Sequence, residues 1–144
     1  MGESAWRSRR ASVKVVSMPI RYSIDPIHGR LLTRADGVVT FHDINAHLDV
    51  EQRNRDLDRP ELVDARGATT DLTTEQVRRL VHRAADMLRL VDLGPTAIVT
   101  TNDVLYGMAR MYSVFAEGVG AAADVFHDAE SAKRWLDRLD AEED

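Results

Sequence analysis

Residues 95–115, PTAIVTTNDVLYGMARMYSVF, limit the fold more than any other stretch of the chain. An apolar run, AIVT at 97–100, passes directly into a helical pattern. No polar residue alternates with Ala97, Ile98 and Val99, which is how a strand reads when helices cover both faces of a parallel sheet. Thr101 or Asn102 caps the next helix, and Val104, Met108, Met111 and Phe115 recur at helical spacing, widened by Leu105 and Tyr112. Gly118 and Gly120 end it. A buried strand between helices implies βαβ units.

The flanking sequence extends this pattern. IRYSI at 20–24 alternates apolar and polar residues, Pro26 and Gly29 supply a turn, and LLTRA at 31–35 returns as the second strand of a hairpin, with Val38 and Val39 prolonging it. Thr40 caps a helix with Phe41, Ile44 and Leu48 on one side. ELVDA at 61–65 is a short strand, and RGATTDLTT reads as a loop rich in Gly and Thr. Thr73 and Gln76 fit a capping box. The stripe of Val77, Leu80, Val81, Ala84 and Leu88 marks the clearest helix, stopped by Gly94-Pro95. ADVF at 123–126 is the last strand. Asp128 caps a final helix that turns Ala132, Trp135, Leu136 and Leu139 inward. The expected fold is α/β: one domain with a mixed, mostly parallel sheet of four to five strands, an N-terminal antiparallel hairpin and about four helices. Residues 18–139 form the domain. Residues 1–17, rich in Ser and Arg, read as a flexible extension or an upstream start, and 140–144 as an acidic tail.

A chain of 144 residues fits one such domain. The net charge of −5 argues against non-specific nucleic-acid binding, which runs on a positive field. There is no cysteine, hence no disulfide framework and no thiol nucleophile. No run approaches the roughly 18 apolar residues of a membrane span, and the amino terminus lacks the pattern of a signal peptide. A cytoplasmic protein is the expectation.

The hairpin IRYSIDPIHGRLLTRADG, the segment ELVDARG and the run VLYGMARMY resemble small bacterial proteins related to STAS (anti-sigma-factor-antagonist) domains, and their uncharacterised STAS-like or CRAL-TRIO-like branch most of all. The resemblance covers about Met18 to Leu139. It implies recognition rather than catalysis. In anti-sigma antagonists the loop after the middle strand carries a phosphorylated Ser in an Asp-Ser-Ser-Gly setting. This chain has DARGATTDLTT there, with Thr69 and Thr70 in the comparable region and no such motif.

The carboxyl edge of the sheet is where candidate binding residues are expected to gather. Helix N-termini there favour anions, and Arg66, Thr69, Thr70 and Asn102 are placed to hold one. Tyr106 and Arg110, four apart on the next helix, share a face. The plainer reading is that Asn102 only caps a helix, that Arg66 pairs with Asp64 or Asp103, and that Arg110 covers Tyr106. Gly107 in that helix suggests close packing against the sheet or another chain. The outer side of the 73–94 helix is basic and partly self-paired, Arg83 with Asp86. His42 and His47 are five apart, on different helix faces, so the histidines form no metal motif. No phosphate loop or nucleophile elbow is present. No catalytic residue, metal or cofactor is expected. Two functions follow. The first is a non-catalytic STAS-like module that recognises a protein partner or pairs as a homodimer, in a regulatory role. The second is a binder or carrier of a small anionic, amphipathic or lipid-like ligand at the carboxyl edge, which requires a cavity of roughly 300 Å³ or more.

Overall fold

A computed structural model describes residues 19–143. In chain order the elements are β1 (Ile20–Ile24), β2 (Leu31–Val39), α1 (Phe41–Arg53), β3 (Glu61–Thr70), α2 (Thr74–Leu88), β4 (Thr96–Val99), α3 (Asp103–Val119), β5 (Ala123–Phe126) and α4 (Ala129–Glu143). The expected extension at 1–17 lies outside the described residues.

Local chemistry sets the helix ends. Thr40 with Asp43, and Thr73 with Gln76, form reciprocal capping boxes that satisfy orphan N–H groups of α1 and α2. Asn102 accepts from the Leu105 N–H at 2.9 Å and starts α3. Asp128 accepts from the Ser131 N–H at 2.7 Å and opens α4. Of the two glycines expected to end α3, Gly120 does so, in the left-handed region at φ 94°.

The five strands lie in sequence order, β1-β2-β3-β4-β5, with β1 antiparallel to β2 and the other neighbours parallel. Each parallel crossover therefore moves one place in the same direction. The right-handed rule then puts α1, α2 and α3 on one face of the sheet. Ile44 of α1 and Leu105 of α3 pack against Ala35, Val39 and Ala65 on that face. Strand alternation sends the neighbouring residues to the other face, where Ala97 and Val99 meet Ala132 and Leu136 of α4. The basic outer side of α2 also works across elements. Arg83 donates to the Asn45 side chain at 2.8 Å and to Asp49 at 2.6 Å, tying α2 to α1, rather than pairing with Asp86.

Three local expectations change. The stretch expected to be a loop after ELVDA is strand as far as Thr70. Residues Asp36 to Val39 of β2 pair with Gly67 to Thr70, so backbone pairing overrides the loop-like composition of GATT. A register shift between Arg34 and Asp36 absorbs the irregularity. Residues 140–143 of the expected acidic tail belong to α4, where Asp140 and Asp137 accept from the buried Arg30 guanidinium at 2.9 and 2.6 Å. Gly107 is exposed, and a Cβ there would meet nothing within 4 Å, so no close approach to the sheet explains it.

Gly94 does carry a close approach. Its N–H donates to Leu57 at 2.9 Å, and a Cβ would overlap the Arg59 backbone carbonyl. Gly94→Ala is expected to destabilise the protein by about 1–3 kcal/mol, the usual cost of overpacking. Gly107→Ala is expected to stabilise it by about 1 kcal/mol through helix propensity. Chemical denaturation of both variants checks the opposite signs.

Candidate functional site

The residues expected at the carboxyl edge do not converge. Arg66 lies in the middle of β3 and forms an exposed pair with Asp64 through two hydrogen bonds of 2.9 and 3.0 Å. That pairing holds the Asp64 carboxyl below its usual range. Thr69 is exposed on β3, and the Thr70 hydroxyl donates to the Val39 carbonyl at 2.7 Å. β4 ends at Val99, opposite Asp64, so β3 runs six residues past it and separates Thr70 from Asn102. Asn102 caps α3. Tyr106 stacks on His127, with ring centroids 4.3 Å apart and planes within 6°. Arg110 pairs with Asp124 at 3.2 Å on the surface.

A different set of polar groups meets in the interior. Ile44, Leu48 and Glu51 lie at i, i+4 and i+7 of α1, which turns a carboxylate onto the apolar face of the helix. His47 sits one turn before Glu51. On β3, Glu61 shares a face with Val63 and Ala65. The fold presses these faces together. His47 Nε2 is 2.9 Å from Glu61 Oε2 and 3.4 Å from Glu51 Oε2. The Thr33 hydroxyl of β2 donates to the same Glu61 oxygen at 2.5 Å. Glu51 is 2% exposed and Glu61 7%.

Neighbouring groups fix this cluster in place. The Tyr22 ring meets His47 edge-on, at a centroid distance of 5.6 Å. Its hydroxyl donates to Asp56 at 2.8 Å and accepts from the Asn54 amide at 2.9 Å. Asp56 is buried and also accepts from Arg59 Nε at 3.0 Å. A one-residue turn in the left-handed region, Arg55 at φ 60°, delivers Asp56 to this position.

Burial and charge set the proton affinities. Burial alone lowers the His47 pKa, but the two carboxylates outweigh it and hold the imidazole protonated up to about 10. Burial pushes the Glu51 carboxyl up to about 7 despite the attraction of His47. The Tyr112 hydroxyl is raised by burial and then by the Glu61 charge.

The same cluster borders a cavity of about 190 Å³ between the sheet and α1–α3. Ala35, Val39, Ala65, Ile98 and Leu105 supply much of its apolar wall, while His47, Glu61, Thr33 and Tyr112 supply the polar part. A smaller cavity of about 60 Å³ adjoins it, sharing Glu61, Leu80, Thr96 and Tyr112, with Glu51 in its wall. The larger volume falls short of the roughly 300 Å³ expected of a site for a larger ligand. It exceeds the about 150 Å³ of an apolar cavity able to hold a benzene ring.

The signal for this site was present in the sequence: a glutamate in the apolar stripe of α1, one turn after a histidine, and another at a core-facing position of β3. Comparing His42 with His47 passes over it, because the partner of His47 is Glu51.

No protein-family model matches the chain, and no curated protein matches it. Among solved structures, it is similar to an uncharacterised protein of the DUF3478 family with a SpoIIAA-like fold from Shewanella loihica PV-4. The two share 16% identity and superpose with a TM-score of 0.55, over 81% of this chain and 93% of the other. At that identity the likeness establishes the fold alone, which is SpoIIAA-like, the STAS-like type implied by the resemblance.

The raised pKa values of His47 and Glu51 act in the same direction. Each group binds its proton more tightly in the folded protein than in the unfolded chain, so its stabilisation is complete at low pH and is lost as pH rises. The window runs from about 4.5 to 7 for Glu51 and from about 6.5 to 10 for His47. In buffer containing EDTA, calorimetry is expected to show Tm falling across this range, with Glu51→Gln flattening its lower part. A wild-type Tm that rises or stays level between pH 6.5 and 10 would contradict the cluster's arrangement.

Proposed function

We propose that this SpoIIAA-like chain is a binding module for a small, largely apolar molecule held between the sheet and α1–α3. The observation that carries this reading is the cavity of about 190 Å³ with its mainly apolar wall. A molecule of ring size would bury its whole surface there, a favourable transfer of about 25 cal/mol for each Å² removed from water. The polar wall contains the Glu61 carboxylate, so it favours a head group that donates a hydrogen bond over an anionic one. Val39, Leu72 and Leu105 place one end of the cavity near the carboxyl ends of β2 and β3, which is the side an entering molecule would use. No helix among the described residues is long and apolar enough to cross a membrane.

A second reading keeps the chain as a STAS-like regulatory module that recognises a protein or a second copy. Exposed apolar side chains on α3, Val104, Val114, Phe115 and Val119, favour it. Arg66, Thr69 and Arg110 are also exposed, although they do not gather with Thr70, Asn102 and Tyr106 into one patch.

The two readings separate experimentally. Benzene, indole and benzylamine titrated into labelled protein are expected to shift the resonances of Ala35, Ala65 and Leu105. Ala65→Leu, which fills the cavity from β3, is expected to abolish those shifts while the circular dichroism spectrum stays unchanged. Saturating probes that move no cavity resonance would sink the ligand reading. Self-association reduced by Val114→Glu would support the second.

A further inference from the structure

Three metal-competent donors meet beside the two cavities. His47 Nε2 and one carboxylate oxygen each from Glu51 and Glu61 all lie within 4.8 Å of one another. The two separations from His47, 2.9 and 3.4 Å, resemble the edge of a small coordination polyhedron. Nitrogen and oxygen ligands held at about 2.0–2.1 Å from a tetrahedral ion stand roughly 3.3 Å apart.

The hydrogen bonding of the cluster is incomplete in a way that points to a cation. Glu51 is 2% exposed, yet among the described residues its Oε2 has no hydrogen-bond partner. The Nε2–H of His47 is directed to Glu61. A buried carboxylate oxygen without a donor is costly. Charge leads to the same place. With both carboxylates ionised and the imidazole neutral, the cluster carries −2. A divalent cation with a neutral imidazole brings it to zero.

We propose that His47, Glu51 and Glu61 form a three-ligand site for a first-row divalent cation. Zn²⁺ suits the donor set best, one imidazole nitrogen and two carboxylate oxygens, with a remaining position facing the cavity. His47 and Glu51 come from one face of α1 at i, i+4, and Glu61 from the first position of β3. Thr33, donating to Glu61, is an outer-shell group that orients the ligand. The site extends beyond the reading of the cavity as an organic-ligand pocket and does not depend on it.

The test uses the untagged full chain, stripped with EDTA and titrated with Co²⁺ and then Zn²⁺, without any organic ligand. One equivalent of Co²⁺ is expected to bind with visible d–d absorption, to be displaced by Zn²⁺, and Zn²⁺ is expected to raise Tm. Glu51→Gln and Glu61→Gln preserve shape, and each is expected to weaken Zn²⁺ binding at least about 10-fold, the loss that outer-shell changes alone can cause. Asp137→Asn, remote from the cluster, is expected to leave binding unchanged. Where a glutamine variant does not fold, the wild type still decides. Bound Co²⁺ should broaden the ring resonances of Tyr22 and Tyr112 and spare His28. No stoichiometric binding by the wild type, undiminished binding by both folded glutamine variants, or broadening centred on His28 would each overturn the site.

Discussion

The handedness of the crossovers governs the arrangement of this molecule. Because β2, β3, β4 and β5 lie side by side in sequence order, each right-handed connection lands on the same face. Three helices thus share one side of the sheet, and α4 covers part of the other. Such a sheet has no place where the strand order reverses, so it lacks the crevice at which doubly wound folds bind ligands beyond their strand ends. The available space lies inside the layer, between the helices and the sheet, and that is where the cavity and the buried polar cluster are found.

The cluster makes this interior unlike an ordinary apolar core. Two glutamates and a histidine are held out of water by neighbours that are mainly aliphatic. Such groups are tolerated only when each is compensated, because removing one member of a buried ion pair costs about 3–5 kcal/mol. Compensation here comes from several elements at once. β2 contributes Thr33, α1 contributes His47, and β1 contributes Tyr22, which packs on that ring and is itself anchored to Asp56. The arrangement couples the hairpin, the first helix and the central strand. It also leaves Glu51 incompletely served, as Arg30 Nε is elsewhere in the interior.

Local signals read well where local physics decides. The capping residues Thr40, Thr73, Asn102 and Asp128 and the stripes of α2 and α4 are properties of a few adjacent positions, and each element formed where they placed it. The failures share one cause. The GATT segment has loop-like composition, yet it is strand because the long β2 offers it partners. Arg83 reaches across to α1 instead of along its own helix. The residues expected to gather at the carboxyl edge do not, because β3 runs six residues past the end of β4.

By itself, the sequence determined the fold class, the hairpin, the succession of strands and helices, and the inward sides of α2 and α4; on α3 the expected stripe leaves Val104 and Phe115 exposed. These follow from periodicity, capping and chirality, all of which act over short stretches of chain. The tertiary structure alone decided that Glu51, His47 and Glu61 touch, and that a cavity opens beside them. Glu51 and Glu61 are ten positions apart in sequence, on a helix and a strand, and each looks like an ordinary charged residue in its own segment. Their proximity depends on the packing distance between α1 and the sheet and on the rotation of that helix. Neither is encoded in any local pattern, because both are set by the sum of contacts that the whole layer makes.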